Sequence, residues 1–282
     1  MVNISFVCST SGRDSKGLLE QFRYLTPHNS GIWKNIKGVE DITKADYYVV
    51  LEEFNKGFLN NFDMSKVIYF QAEPFGLRKK CFAKKFKDTF YRYFDYNNYY
   101  FPPFWSTRIP YDNLYAEEYP DKSKNFSCIM STKNNSRFIG YQKRIDFLQQ
   151  IEIITNDIDI YGRGREKELS YKDTCPRLAY IDYKYTLSCE NCSMNGHATD
   201  RIYDSIVNWC VPIYWGMKDI ERLCLPSEAY RLIDIEKDDP SKVLDYVSEP
   251  IDKVTHEALC FSKHHIMDNL NFWNKIYEVL NE

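Results

Sequence analysis

The stretch Tyr183–Gly216 (YKYTLSCENCSMNGHATDRIYDSIVNWCVPIYWG) constrains the fold more than any other part of the chain. An apolar, β-rich run at Tyr185–Cys189 leads into a polar loop, an amphipathic helical segment at Asp200–Trp209 and a second apolar run at Val211–Trp215. Two short strands joined through a helix form a parallel pair with a crossover, because a hairpin needs only a few residues between its strands.

The same alternation recurs along the chain. Val2–Cys8, Ala45–Leu51 and Lys66–Gln71 read as strands, with helical character at Ser15–Tyr24 and Leu77–Phe86. A second series has strands at Phe126–Ser131, Ile158–Tyr161 and Arg231–Ile235, a helix at Phe138–Ile151, and helices at Ser241–Ser248 and Thr255–Leu280. Between the two series lie an extended aromatic segment, Phe101–Trp105, and the polar stretch Ala116–Lys124, which contains Pro120 and reads as a linker. The expectation is an α/β protein of two Rossmann-like domains facing each other across a cleft. Residues 1–120 are expected to form the first domain and 121–260 the second, with 261–282 as a C-terminal helix packing back on the first.

A chain of 282 residues with 44% hydrophobic residues can bury a full core without disulfide staples. The net charge of −3 argues against a nucleic-acid-binding surface, so an anion site must be built locally. No apolar run approaches the ~20 residues of a membrane span. The start, MVNISFVCS, has no signal-peptide character, and the nine cysteines lack framework spacing. A cytoplasmic protein with reduced thiols is expected; were it secreted, Asn125 and Asn191 would be glycosylation acceptors.

Candidate site residues cluster where strands end and helices begin. Thr199 reads as an N-cap, and Asp200 suits the positive end of the helix dipole. Arg201 opposes that dipole, unless a diphosphate sits at the helix end. Arg201 then meets phosphate oxygens in a bidentate fork, while Asp200 accepts from ribose hydroxyls. Glu190 and Asn191 close the strand Tyr185–Cys189, at a ligand edge or simply at a turn. Arg144 follows a strand and a loop holding Lys133 and Arg137, an arrangement that fits phosphate or an ordinary exposed helix face. Glu73, after the strand Lys66–Gln71, is placed to be a general base toward an acceptor hydroxyl, although a Glu before Pro74 is unremarkable by itself.

No metal site is expected. Cys189 and Cys192 with His197 begin like a zinc knuckle, but Ile202 stands where the fourth ligand belongs. Gly162-Arg163-Gly164 lacks the third glycine of a dinucleotide fingerprint and reads as a turn. His264-His265 has no carboxylate at ligand spacing, and Asp157-Ile158-Asp159 leads into a strand.

These motifs resemble the α-1,3/4-fucosyltransferase family, glycosyltransferase family 10, of bacterial or viral type. The carriers are Tyr183-Lys184-Tyr185, Glu190-Asn191, Thr199-Asp200-Arg201 and Val211-Pro212-Ile213-Tyr214-Trp215-Gly216, with a looser match at Ser131, Arg144 and Tyr161-Gly162-Arg163. The resemblance implies a GT-B fold and inverting transfer of fucose from GDP-fucose to a hydroxyl of an acceptor glycan, in glycan biosynthesis or protein glycosylation, with no cofactor required. It implies that Arg144 and Arg201 stabilise departing GDP, that Asp200 holds the ribose, and that Glu190, Asn191, His197 and Thr199 belong to the donor site. Glu73 would be the base. The family's T-E-K is Thr199-Asp200-Arg201 here, and His197 stands where a tyrosine is common. Those departures leave open a different nucleotide-sugar donor, or a non-catalytic nucleotide-sugar or glycan-binding module.

Overall fold

A computed structural model describes residues 1–8, 14–51, 62–71, 82–95, 104–132, 139–169 and 175–282. Glu73, Lys133, Arg137, the first half of the helical segment expected at Leu77–Phe86 and the start of Phe101–Trp105 lie outside them. The chain divides into two compact units. One comprises Met1–Pro102, Ile109–Asn113 and Asn271–Glu282; the other comprises Pro103–Arg108 and Leu114–Leu270.

The first unit is built on β1 (Val2–Val7), β2 (Ile32–Trp33), β3 (Ile36–Gly38), β4 (Tyr47–Leu51), β5 (Val67–Phe70) and β6 (Arg92–Phe94), in the order β2-β3-β1-β4-β5-β6. All neighbours are parallel except the β2–β3 pair. One face packs Phe6 against Phe22, Phe272 and Trp273, all buried. The Trp273 indole N–H donates to Phe22 O at 2.9 Å, and the Asn271 amide donates to Leu25 O at 2.9 Å. The chain's last helix, Phe272–Asn281, is thereby part of this unit's core. Val7, Val50, Val67, Tyr69 and Phe90 form a further cluster.

The second unit is built on β7 (Lys124–Ile129), β8 (Asp159–Tyr161), β9 (Tyr183–Met194), β10 (Val211–Met217) and β11 (Arg231–Leu232), all parallel, in the order β11-β10-β9-β7-β8. The chain runs from β7 outward to β8 and then crosses back to β9 on the other side of β7. The strand order therefore reverses between β7 and β9, and in open α/β sheets ligands bind at the carboxyl ends of the strands at such a point. Helix Ile139–Ile154 links β7 to β8, and helix Asp200–Val207 links β9 to β10.

Several elements differ from their sequence expectation. β9 does not end at Cys189 but runs on to Met194, pairing beyond an irregularity at Trp215–Met217. The run expected as one helix over Thr255–Leu280 is broken into Lys253–His265, a π-helical turn at Ile266–Leu270, and Phe272–Asn281 capped by the Asn271 side chain. Residues 117–123 carry no helix or strand, yet Lys122 is buried and donates to Tyr180 O, Ile181 O and Asn208 O at 2.8–3.1 Å. Among the described residues, no helix is long and apolar enough to cross a membrane.

Candidate functional site

Glu190 organises the carboxyl-end region of β9. Its side chain is fully buried, and four donors neutralise it: Thr199 N (2.8 Å), Thr199 Oγ1 (2.7 Å), Arg201 Nη1 (3.1 Å) and the Tyr214 hydroxyl (3.3 Å). A buried carboxylate without such partners would be strongly unfavourable. This compensation lets a charged residue sit inside a strand. Gly216 on β10 leaves room for it, since a Cβ there would overlap Glu190 Cγ. Glu190 is therefore an internal anchor, and its carboxylate oxygens are engaged within the protein rather than presented to a ligand.

The anchor fixes the start of helix Asp200–Val207. Thr199 is its N-cap, accepting from Arg201 N at 3.5 Å, and Thr199 Oγ1 also accepts from Arg201 Nη1 at 3.1 Å. Arg201 is thus held at the positive end of a helix with 29% of its side chain exposed. Asp200 is half-buried, and its carboxylate has no hydrogen-bond partner among the described residues. Asp204, one turn on, is buried and accepts from Ser106 N (2.7 Å) and the Ser106 hydroxyl, tying residues 104–108 to this helix. Burial, and then the Asp200 charge, hold the Asp204 carboxyl well above the usual carboxylate range.

Arg144 approaches from the helix Ile139–Ile154. It lies more than a turn inside that helix rather than opening it, and it is only 4% exposed. Its Nη1 donates to Cys189 O at 3.2 Å, its guanidinium lies 4.4 Å from the Tyr141 ring centre, and its Nε has no partner among the described residues. Burial first, and the like charge of Arg201 second, press against its charged form. Close packing of this helix on β9 requires Gly140, where a Cβ would overlap the Asn191 carbonyl. Arg144 and Arg201 are thus secured to consecutive residues of β9, Cys189 and Glu190.

Asn191 and His197 are joined through Asn191 Oδ1 and His197 Nε2 at 3.0 Å. Burial pushes the His197 pKa below its ordinary value, with Arg201 adding to that and Glu190 opposing it, so the ring is neutral near pH 7. The loop carrying it is pinned by Asp219, which accepts from Gly196 N at 2.7 Å. Burial raises the Cys189 thiol pKa, and among the described residues no group of three or more His, Cys, Asp or Glu is disposed to hold a metal ion.

The structure therefore brings Arg144, Glu190, Asn191, His197, Thr199, Asp200 and Arg201 to one edge of the second sheet. Sequence reasoning named Tyr214 only as part of a motif, without its bond to Glu190, and missed Tyr141. A tyrosine in an apolar strand is one signal, because a buried hydroxyl needs a partner. The i, i+3 spacing of Tyr141 and Arg144 is the other.

The sequence model of glycosyltransferase family 10 (fucosyltransferase), C-terminal part, matches residues 119–265. No curated protein matches the chain by sequence. Among solved structures, an α1,3-fucosyltransferase aligns with TM-score 0.57 at 10% identity, covering 100% of this chain and 91% of that one. A crystal structure described as α1,3-fucosyltransferase with GDP aligns with TM-score 0.50 at 14% identity, covering 97% and 82%. The DNA-modifying enzyme β-glucosyltransferase aligns with TM-score 0.52 at 11% identity over 100% of both chains. At these identities the likeness is one of fold, and the fold is of the GT-B type.

Proposed function

The chain belongs to glycosyltransferase family 10, the fucosyltransferases, and from that premise we propose that it moves fucose, with inversion, from GDP-fucose to a hydroxyl of an acceptor glycan. The observation that carries the donor side is Arg144. It is a buried cation with one carbonyl for a hydrogen-bond partner among the described residues, and it feels the like charge of Arg201 at a helix start. Glu190 offsets one of these two positive charges, and the charge left over on buried Arg144 is costly unless a further anion joins it. A diphosphate is such an anion, and its charge grows as the sugar departs, so the arginines stabilise the transition state more than the ground state.

Asp200 then accepts from the ribose, and neutral His197 with Asn191 lines the donor. Glu190 and Thr199 hold Arg201 in place. Glu73 follows β5 by three residues in sequence and is assigned as the base that takes the acceptor proton. The arginines supply the charge neutralisation that a metal supplies elsewhere, so turnover is expected to survive excess EDTA.

A panel of nucleotide sugars offered with acceptor glycans tests this. GDP-fucose is expected to be consumed fastest, with GDP released and a fucosylated product formed. Preference for another donor would shift the assignment to the second reading, which the shorter Asp200 of Thr199-Asp200-Arg201 favours. Binding without turnover would make the protein a non-catalytic nucleotide-sugar or glycan-binding module. Glu73→Gln is expected to retain GDP affinity and lose transfer; undiminished transfer would remove Glu73 from the role of base.

A further inference from the structure

Arg165 is a third arginine at the same edge of the second sheet. It sits on the turn that leaves β8, and that turn requires its glycines. Gly162 has φ 143° and Gly164 φ 77°, and a Cβ at Gly162 would come within 2.8 Å of the Met130 carbonyl carbon. A Cβ at Gly164 would overlap the Thr132 hydroxyl. The turn is closed by Arg165 N donating to Gly162 O at 3.1 Å and is held to the segment after β7 by Thr132 N donating to Arg163 O at 3.1 Å. Residues that read from sequence as a simple turn are thus moulded onto the carboxyl end of β7.

The Arg165 side chain is half-buried, and its Nε donates to Met130 O at 3.1 Å. That bond fixes the plane of the guanidinium. Among the described residues no carboxylate pairs with Arg165, and its Nη1 and Nη2 have no acceptor. An arginine on an exposed turn is ordinarily only solvated, but the Nε tether holds this one in a fixed plane with its Nη groups open. In the β7–β9 register Cys128 stands beside Leu187, which places Met130 level with Cys189, the residue whose carbonyl holds Arg144. Neighbouring strands lie about 4.8 Å apart. The Cys128 thiol feels the positive charges of Arg144, Arg165 and Arg201 together.

We infer that Arg165 is a third donor-site arginine, presenting its Nη groups to a phosphate oxygen of the nucleotide that Arg144 and Arg201 hold. The inference rests on the diphosphate reading of that site and extends it to the strand on the far side of β7. An arginine fork bonded to a phosphate is a charge-assisted contact, and its loss corresponds to about a tenfold drop in affinity.

The test is calorimetric titration of wild type and Arg165→Ala with GDP, UDP and the matching nucleosides, with thermal melts to check folding. The expected result is that Arg165→Ala binds the preferred diphosphate about tenfold more weakly and its nucleoside as wild type does. Unchanged diphosphate affinity overturns the inference and leaves the diphosphate reading standing. An equal loss for diphosphate and nucleoside also overturns it, since the contact would then be to the base or sugar. A wild type that binds no diphosphate more tightly than the nucleoside overturns both. Should Arg165→Ala fail to fold, Arg165→Gln, which retains an N–H for Met130 O, is judged by the same outcomes.

Discussion

A guanidinium loses hydration on burial, and Arg144 recovers one protein hydrogen bond, to Cys189 O, among the described residues. Such a residue does not hold the fold together. Arg144 pairs with no carboxylate among the described residues, so exchanging it for an apolar side chain of similar length leaves no carboxylate unpaired and removes a desolvation cost. Arg144→Met is therefore expected to melt no lower than wild type while losing activity at least a hundredfold; a large drop in melting temperature would make Arg144 structural. Glu190 is the opposite case. Thr199, Arg201 and Tyr214 all depend on its carboxylate, so Glu190→Ala is expected to cost about 3–5 kcal/mol in urea denaturation. A change under 1 kcal/mol would contradict the anchor. The cationic half of this site was legible because Arg201 sits against the helix dipole. The anchoring role of Glu190 was not, because a charged residue after an apolar run reads as the strand's end until its partners are placed around it.

At the scale of elements, helix Ile139–Ile154 and β9 meet at Gly140, which sits one turn before Arg144. Gly140→Ala must push the helix away from Asn191, and overpacking of this kind costs about 1–3 kcal/mol. The expected outcome is a destabilised variant whose GDP affinity falls as well, because Arg144 moves with its helix. Helix Lys253–His265 carries Lys263, wholly buried over Trp209 and 3.6 Å from the Glu117 carboxylate. Burial lowers its pKa to about 8, and that of Lys122 likewise to about 8, from the ordinary value of 10.5. Between about pH 8 and 10.5 the unfolded chain therefore binds more protons at these lysines than the folded one, so their contribution to stability rises with pH. Buried thiols and tyrosines, whose pKa values are raised, act in the opposite sense at higher pH. The comparison is thus best made by difference. The stability of wild type relative to Lys263→Met is expected to shift in favour of wild type from pH 8 to pH 10, and a pH-independent difference would refute the assignment. Long elements such as Ser241–Ser248 were legible from their periodicity. β2, β3 and β6 were not, because runs of two or three residues are defined by the strands beside them. The break at Ile266–Leu270 was hidden because the segment contains no proline or glycine to mark it.

For the whole molecule, the alternation of apolar runs was enough to give two α/β sheets that are parallel but for the β2–β3 pair, since parallel strands demand crossovers whatever their detailed register. The path of the chain was harder to read, because it depends on tertiary burial of particular side chains. The first unit takes in Ile109–Asn113 and Asn271–Glu282, so no single cut yields two complete units. Deleting 271–282 removes Phe272 and Trp273 from contact with Phe6 and Phe22, and burial of each such ring is worth about 1.5–3 kcal/mol. The truncated protein is expected to lose the cooperative unfolding of its first unit in circular dichroism; an unchanged transition would mean that the helix adds nothing. Titration of GDP against guanosine in wild type, Arg144→Met and Arg201→Ala measures whether the charge assembled at the edge of the second sheet holds a diphosphate. The prediction is that wild type prefers GDP at least a hundredfold and that the preference collapses in both variants; equal affinity for the two ligands, or a preference that survives both substitutions, would contradict it.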